Sequence, residues 1–447
     1  MEKKWEEMSA EEKQEAMFQK WLSPQGQEFA SARAEKAYKE RVTRIKDAVQ
    51  LKKLPDRVPV FAFIGFFPAF YSKLTPQEVM YDYDKAYMAW KKYQLDFEPD
   101  AHMGILVASP GKFFEILDYK LYAWPGHGVS PNLTYQCLEG EYMKADEYDA
   151  LIQDPSYFFN STYFPRIFGA LEPFKMLPPL TNILEMYGGF SVVNFIPCGL
   201  PDVQAAFKAL LEAGDEALKW AGVVVAFNKE MVEAGFPNFF GGGSKAPFDT
   251  IGDTLRGTRG IILDMYRQPD KLLQAMEVIT PLMIKMGVSA AKMNGNPIVF
   301  IPLHKGADGF LSDEQFKKFY WPTLRKVIMG LIDEGCVPFL FAEGGYNSRL
   351  EVIRDLPKSK TAWLFDQTDM AKAKKILGDI ACIAGNVPAA LLNVGTSQQV
   401  KDYARKLIDT AGKGGGYIMI NGAVIDEAKP ENLKAMIDAT KEYGVYK

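Results

Sequence analysis

Three residues able to move a proton or hold a metal stand directly after short apolar runs. His304 follows Ile298–Leu303, Glu343 follows Val337–Phe341, and Asp366 follows Ala362–Phe365. Imidazole and carboxylates brought to one place suit general acid–base chemistry or a divalent metal such as zinc. His304 and Glu343 are the metal-ligand candidates, although their spacing follows no metal motif. Glu343 is followed by Gly344 and Gly345, which leaves room for a ligand to approach the backbone. Each residue also has a plainer role. Glu343 could pair with a surface lysine, Asp366 could cap the helix that begins near Met370, and a lone histidine is often structural.

Candidate substrate contacts come from the same positions. Asn386 follows Ile380–Ile383, and Asn421 follows Tyr417–Ile420. The aromatic group Phe61, Phe63, Phe66, Phe67, Phe70 and Tyr71 lies on and just past the first apolar run. Alternation puts Phe61 and Phe63 on one face, where core packing is the plainer reading. Phe66, Phe67 and Tyr71 fall beyond the strand end, where they would line a mouth. Phe63, Phe66, Phe67, Tyr71, Phe341, Asn386 and Asn421 are therefore the expected binding residues. Gly241-Gly242-Gly243-Ser244 reads as a flexible turn and not a P-loop, since GxxxxGK[ST] is absent. His102 opens a strand-like run, and His127 sits in the turn sequence Pro125-Gly126-His127-Gly128.

Elements that could gather these residues follow from the pattern. Short apolar runs occur at 58–63, 102–108, 192–196, around Phe239, and at 298–303, 337–341, 362–365, 380–383 and 417–420. Amphipathic stretches at about 313–334, 369–377, 397–411 and 430–443 separate the later ones. Continuous apolar strands alternating with amphipathic helices imply a parallel sheet covered by helices. With no GxGxxG after the first strand, the pattern predicts an α/β protein of the (β/α)8 TIM-barrel class. Barrel chemistry sits at the carboxyl ends of strands, where His304, Glu343 and Asp366 fall. Residues 1–54 read as a helical arm with one break at Ser23-Pro24-Gln25-Gly26, and 55–447 as the barrel. Residues 110–180 read as an insertion after the second strand, long enough to be functional.

Composition removes other classes. The 447 residues carry a net charge of −4, with 24% charged and 48% hydrophobic, so there is no electrostatic footprint for nucleic acid. The charged N-terminus has no signal-peptide core, and no run is long enough to span a membrane. Four widely spaced cysteines contain no CxxC pair. A cytoplasmic enzyme is the expectation.

Several segments together resemble the uroporphyrinogen decarboxylase superfamily. They are Asp366-Gln367-Thr368-Asp369, Ile383-Ala384-Gly385-Asn386-Val387-Pro388, Gly416-Tyr417-Ile418, Pro430-Glu431-Asn432-Leu433, Phe310–Phe316 with Trp321-Pro322, Leu255-Arg256-Gly257 and Gln268-Pro269. The resemblance runs over about 240–447, more thinly back to 55. It implies a TIM barrel, and either tetrapyrrole decarboxylation or methyl transfer involving corrinoid proteins or thiols. The chain departs from both patterns. Phe61–Tyr71 has no arginine. The decarboxylase histidine falls at Ala423, and the zinc His-x-Cys pair at Phe341-Ala342-Glu343, so cysteine-held zinc is doubtful. These departures favour the methyltransferase branch: demethylation of a small methylated substrate, such as an aryl methyl ether, with a corrinoid protein as partner. A decarboxylase or lyase of a tetrapyrrole or smaller acid is the alternative, and a retained ligand-binding barrel the third reading. A homo-oligomer is compatible with the family.

Overall fold

Alternation on six parallel strands sorts side chains into two layers. In the computed structural model, which describes residues 3–183 and 191–447, these strands are β4 (Gly242–Gly243), β5 (Ile298–Leu303), β6 (Val337–Ala342), β7 (Ala362–Phe365), β8 (Cys382–Ala384) and β9 (Tyr417–Ile418). They pair in sequence order, all parallel. Met1 and Glu2 of the expected arm lie outside the described residues. Ile298, Val337, Phe339, Phe341, Ala362, Leu364, Cys382, Ala384 and Ile418 fill one buried cluster with Phe61, Phe63 and Phe239. Their intervening neighbours Val299, Ile301, Leu340, Trp363, Ile383 and Tyr417 fill another with the surrounding helices. Burial of both faces explains why the strands read as unbroken apolar runs.

Backbone pairing continues past both sheet edges. Val60 pairs in parallel with Met419, and the Asp100 N–H donates to the Val60 carbonyl (2.8 Å). His102 pairs with Asn238, and the Gly241 N–H donates to the Ile298 carbonyl (2.8 Å). The segments near 60, 101 and 238 are thus bridged like strands although too short to be assigned as such.

Helices Trp321–Asp333, Met370–Leu377, Ser397–Leu407 and Pro430–Tyr443 lie where the periodicity predicts amphipathic helices. Helix Pro269–Asn294 is long and apolar enough by composition to cross a membrane, and it packs against Trp321–Asp333 with Leu272, Ala275, Met276 and Ile279 buried. The expected strand at 192–196 is instead part of a 3-10 helix, Val192–Gly199, with Val192, Val193 and Ile196 at least half exposed. Pro197 removes a backbone donor there, and among the described residues no strand pairs with the segment. The expected strand at 102–108 shrinks to the single bridge at His102.

The N-terminal helices Ala10–Leu22 and Ala32–Gln50 are each capped by a serine, Ser9 and Ser31. Phe18, Trp21, Tyr38, Val42, Ile45 and Val49 join the cluster of inward strand residues. Buried Arg44 bridges Asp56 and fully buried Asp100, which fastens the second helix to the segment near strand position 100. Between 110 and 180, three short strands, β1 (Tyr122–Pro125), β2 (Gly128–Val129) and β3 (Gln136–Cys137), form a separate small sheet.

Candidate functional site

The alternation that points Phe300, Phe341 and Leu364 inward also turns the next residues of that parity, His304, Glu343 and Asp366, toward the same side. Register supports this, because Leu303 pairs with Ala342, and Ala342 with Phe365. The three residues just beyond therefore lie at one level. His304 Nε2 stands 3.5 Å from Glu343 Oε1. Both side chains keep over a third of their surface open, 37% and 40%, so a small molecule can reach them.

Beneath them lies a phenylalanine floor. The Phe63 ring is 5.0 Å from Phe341 and 5.5 Å from Phe300, and Phe300 is 4.8 Å from Phe240. Phe63 and Phe341 are buried while Phe300 and Phe240 are partly open. Removing such a ring's surface from water contributes about 1.5–3 kcal/mol.

The other imidazole nitrogen is also engaged. His304 Nδ1 is 2.6 Å from Asp253 Oδ2. Asp253 takes Lys305 Nζ at 2.7 Å and Lys245 Nζ at 2.8 Å as well. It sits in a π-helical turn, Thr250–Arg256, a widened geometry frequent at functional sites. One turn earlier, fully buried Asp249 accepts the backbone N–H groups of His304 and Lys305 (3.0 Å each) and the Tyr320 hydroxyl (2.6 Å). Asp249 thus fixes the backbone that presents His304.

Electrostatics follow from these contacts. For His304, burial opposes the charged form most, but the Asp253 hydrogen bond and the charges of Glu343, Asp253 and Asp249 outweigh it and raise its pKa above the ordinary value. Burial raises Glu343; His304 draws it down, and Asp249, Asp253 and Asp366 push it up, with a net rise. Asp253 is held below the carboxylate range, because His304, Lys245 and Lys305 overcome its burial. The set is a carboxylate–imidazole–carboxylate row in which His304 Nδ1–H is anchored by Asp253 and Nε2 faces Glu343. A raised histidine beside a raised carboxyl can hold and release a proton near neutral pH.

The structure draws some expected residues to this row and not others. Asp366 Oδ2 accepts the Gly344 N–H (3.1 Å), and burial raises its pKa. Gly344 adopts φ +76°, a left-handed turn that favours glycine directly after Glu343. Asn386 spends both amide donors on the carbonyls of Asp366 and Thr368 (2.9 Å each). Fully buried Asn421 accepts from the Phe63 N–H and donates to the Phe63 carbonyl (2.8 Å each). Both asparagines brace the backbone at their strand ends with their amides. Phe66 packs on Tyr135 of the 110–180 segment. Phe67 and Tyr71 stack on each other and meet Phe97 edge to face, and the Tyr71 hydroxyl donates to Asp96, so these contacts run to helix Tyr83–Phe97. His102 is fully buried, with Nδ1 accepting from the Gly104 N–H. His127 lies between Trp124 and Tyr81 with Nε2 on Glu115.

Sequence reasoning missed Asp249, Asp253, Lys245 and Tyr320. The signal was available in Asp249 and Asp253, two carboxylates four residues apart just past the Phe239 run, a repulsive spacing on a helix unless cations meet it.

Zinc does not fit the residues present. Among the described residues no group of three or more His, Cys, Asp or Glu is arranged to hold a metal. Asp253 engages His304 Nδ1, and two lysine ammonium groups surround that carboxylate, a cationic setting ill suited to a divalent ion. A cleft of about 570 Å³ lies beside the row, walled by Glu139, Glu141, Arg256, Arg259 and Arg267. Glu139 reaches within 4.0 Å of Lys305 Nζ, so the cleft borders the row through that lysine.

Comparison with known proteins shows what this site's domain is similar to. Residues 223–443 match the family model for uroporphyrinogen decarboxylase. The curated uroporphyrinogen decarboxylase of Chlorobaculum parvum is 24% identical over 185 residues, 40% of this chain and 51% of that protein. That of Methylococcus capsulatus is 26% identical over 211 residues, 44% of this chain and 56% of that protein. The chain thus spans about half the length of the curated relatives it matches. A solved methyltransferase from Methanosarcina mazei aligns with a TM-score of 0.57 at 16% identity, covering 90% of this chain and 98% of that one, a likeness of fold. The segments quoted from the sequence lie inside the matched region, so the resemblance to the uroporphyrinogen decarboxylase superfamily is shown over residues 223–443.

Proposed function

We propose that this chain is a methyltransferase that takes a methyl group from a small methylated substrate, such as an aryl methyl ether, and delivers it to a corrinoid protein. The observation that carries the reading is the Asp253–His304–Glu343 row above a phenylalanine floor. The methyl–oxygen bond breaks, the methyl passes to the reduced cobalt of the partner's corrinoid, and the ether oxygen takes a proton to leave as a phenol. His304 supplies that proton from Nε2. Asp253 holds the other nitrogen and favours the charged ring, Glu343 orients the proton, and solvent reprotonates the imidazole once the phenol has left. General acid assistance of this kind contributes about 10²–10⁴-fold. Phe63, Phe300 and Phe341 give a flat donor an apolar seat. The proton transfer as written calls on side chains of this chain and not on a zinc ion held by them.

The reading includes a closed eight-stranded barrel, supported by the bridges Val60–Met419 and His102–Asn238 and the Asp100–Val60 hydrogen bond. It includes residues 1–54 as a helical arm seated on the inward strand cluster, 55–447 as the barrel, and a cytoplasmic setting. Incubation with a panel of methoxylated aromatics and a reduced corrinoid protein tests the function. Growth of methylcobalamin absorbance with release of a phenol is expected. Silence across the panel would overturn the reading.

Decarboxylation of an acid is the second reading, favoured by the relatives' names and by the two lysines beside Asp253. Release of CO₂ with no corrinoid present separates it from methyl transfer.

A further inference from the structure

The cleft beside the row lies between two walls, the chain 139–145 that leaves the small sheet and helix Gly257–Arg267. Hydrogen bonds at both ends fix the spacing of these walls. The Met143 N–H donates to the Leu255 carbonyl (2.8 Å), Arg256 Nη1 to the Met143 carbonyl (2.6 Å) and Gln268 Nε2 to the Ala145 carbonyl (3.0 Å). The carboxylates of the cleft are already engaged. Asp264 accepts from Arg256 Nε (2.6 Å) and from the Tyr148 hydroxyl (2.8 Å). Glu141 takes Arg256 and Lys144, and Glu139 accepts the Thr258 hydroxyl beside Lys305. Arg259 and Arg267 differ. Both are exposed, and among the described residues neither guanidinium meets an acceptor or an aromatic ring. Apart from Arg33, every other arginine does.

We propose that this cleft binds a small elongated dianion, with a carboxylate or phosphate at each end and an apolar middle. Steps of four residues set Arg259, Leu263 and Arg267 on one side of their helix, and all three line the cleft. The two arginines start about 12 Å apart along the helix axis. Each guanidinium offers a planar fork of N–H donors that matches one oxyanion. Leu263, partly exposed between them, meets the apolar middle. A cleft of about 570 Å³ falls within the range of small-molecule sites. Gly260 keeps its floor clear, since a Cβ there would crowd Arg256 at 3.2 Å. With the three carboxylates set against Arg256, Lys144 and Lys305, the charge left over is that of Arg259 and Arg267. Two like charges facing one cleft repel until an anion enters. A molecule with one charged end meets one arginine, and a short dianion does not span both. Nothing in this site depends on the reaction proposed at the row.

Titration calorimetry on the full chain tests the site with sebacate, octanediol bisphosphate, succinate and decanoate. The first two are long dianions ending in carboxylates and phosphates, the third is a short dianion, and the fourth has one charged end. At least one long dianion is expected to bind about tenfold or more tightly than succinate and decanoate, and the tighter of the two names the end group. Arg259→Gln and Arg267→Gln are each expected to weaken that binding about tenfold, the lower end for a hydrogen bond to a charged group because both side chains are exposed. The double variant is expected to abolish it. Melting is expected to stay unchanged, since neither side chain has a partner to lose. Arg33→Gln, which removes the unpartnered arginine outside the cleft, is expected to leave binding as in the wild type. Absence of binding by both long dianions overturns the proposal. So does undiminished binding in the double variant, succinate or decanoate binding as tightly, or an equal loss in Arg33→Gln, because each removes the need for two arginines at this cleft.

Discussion

Replacing Asp253 with asparagine probes how the His304 proton is held. In the native arrangement Asp253 lies 2.6 Å from His304 Nδ1 and also neutralises Lys245 and Lys305. Asparagine keeps the shape and can still accept from Nδ1–H, but the charge is lost. A hydrogen bond to a charged partner contributes about 1.5–3 kcal/mol, against about 1 for a neutral one. Because 37% of the His304 side chain is open to water, the lower end applies, leaving a loss of about 1 kcal/mol or somewhat more. At about 1.36 kcal/mol per pH unit, the His304 pKa is expected to fall by about one unit. The two freed lysines add repulsion in the same direction. The assay is an NMR titration of the His304 ring in both proteins. A His304→Asn control assigns the signal against His127, and fully buried His102 is pushed down to about 3 and does not titrate near neutrality. A His304 pKa that stays put or rises in Asp253→Asn would refute the assignment of Asp253 as the anchoring carboxylate. The sign also fixes a stability window. His304 has a raised folded value, so its contribution is full below the unfolded pKa of about 6.5 and is lost as pH rises through the folded value. Asp253→Asn is expected to flatten that part of the stability profile.

Further outcomes follow from the same contacts. Asp249→Ala leaves two buried backbone N–H groups and the Tyr320 hydroxyl without their shared acceptor, and is expected to cost about 2–4 kcal/mol in urea unfolding; a change below 0.5 kcal/mol would contradict the buried network. Asn421→Leu removes both hydrogen bonds to the Phe63 backbone and is expected to lower the melting temperature by several degrees, while Asn421→Asp at neutral pH, which brings a buried charge, is expected to do worse. Phe341→Ala is expected to lose about 3–5 kcal/mol, because the ring packs on Phe63 in the buried floor; a loss below 1 kcal/mol would mean that the site collapses freely. His102 is expected to remain neutral in the folded protein down to about pH 4, read from its ring resonances; protonation near 6.5 without unfolding would contradict its burial.

The later strands were legible because each is a continuous apolar run buried on both faces. The runs at 298–303 and 362–365 coincide with β5 and β7 residue for residue. Alternation then placed His304, Glu343 and Asp366 at one level without coordinates. The 192–196 run misled because an apolar segment of that length is ambiguous, and only Pro197 hinted that no sheet would hold it. Asn386 and Asn421 stand at strand ends like site residues, yet the backbone they brace is close in space and far in sequence, which spacing cannot report. Phe67 and Tyr71 were drawn off the mouth by Phe97 and Asp96, thirty and twenty-five residues onward. Asp253 was missed for a related reason. Its role depends on a π-helical turn that rotates it toward His304, and no motif in the sequence announces that turn.

The direct test of the proton-donating row is single-turnover methyl transfer from a methoxylated aromatic to a reduced corrinoid protein by wild type, His304→Asn and Glu343→Gln. All three are compared with the donor saturating and the fold verified by melting. Transfer by the wild type with a loss of about 10²-fold or more in both variants is the expected result. Wild-type rates in either folded variant would contradict a proton supplied from His304 and steered by Glu343.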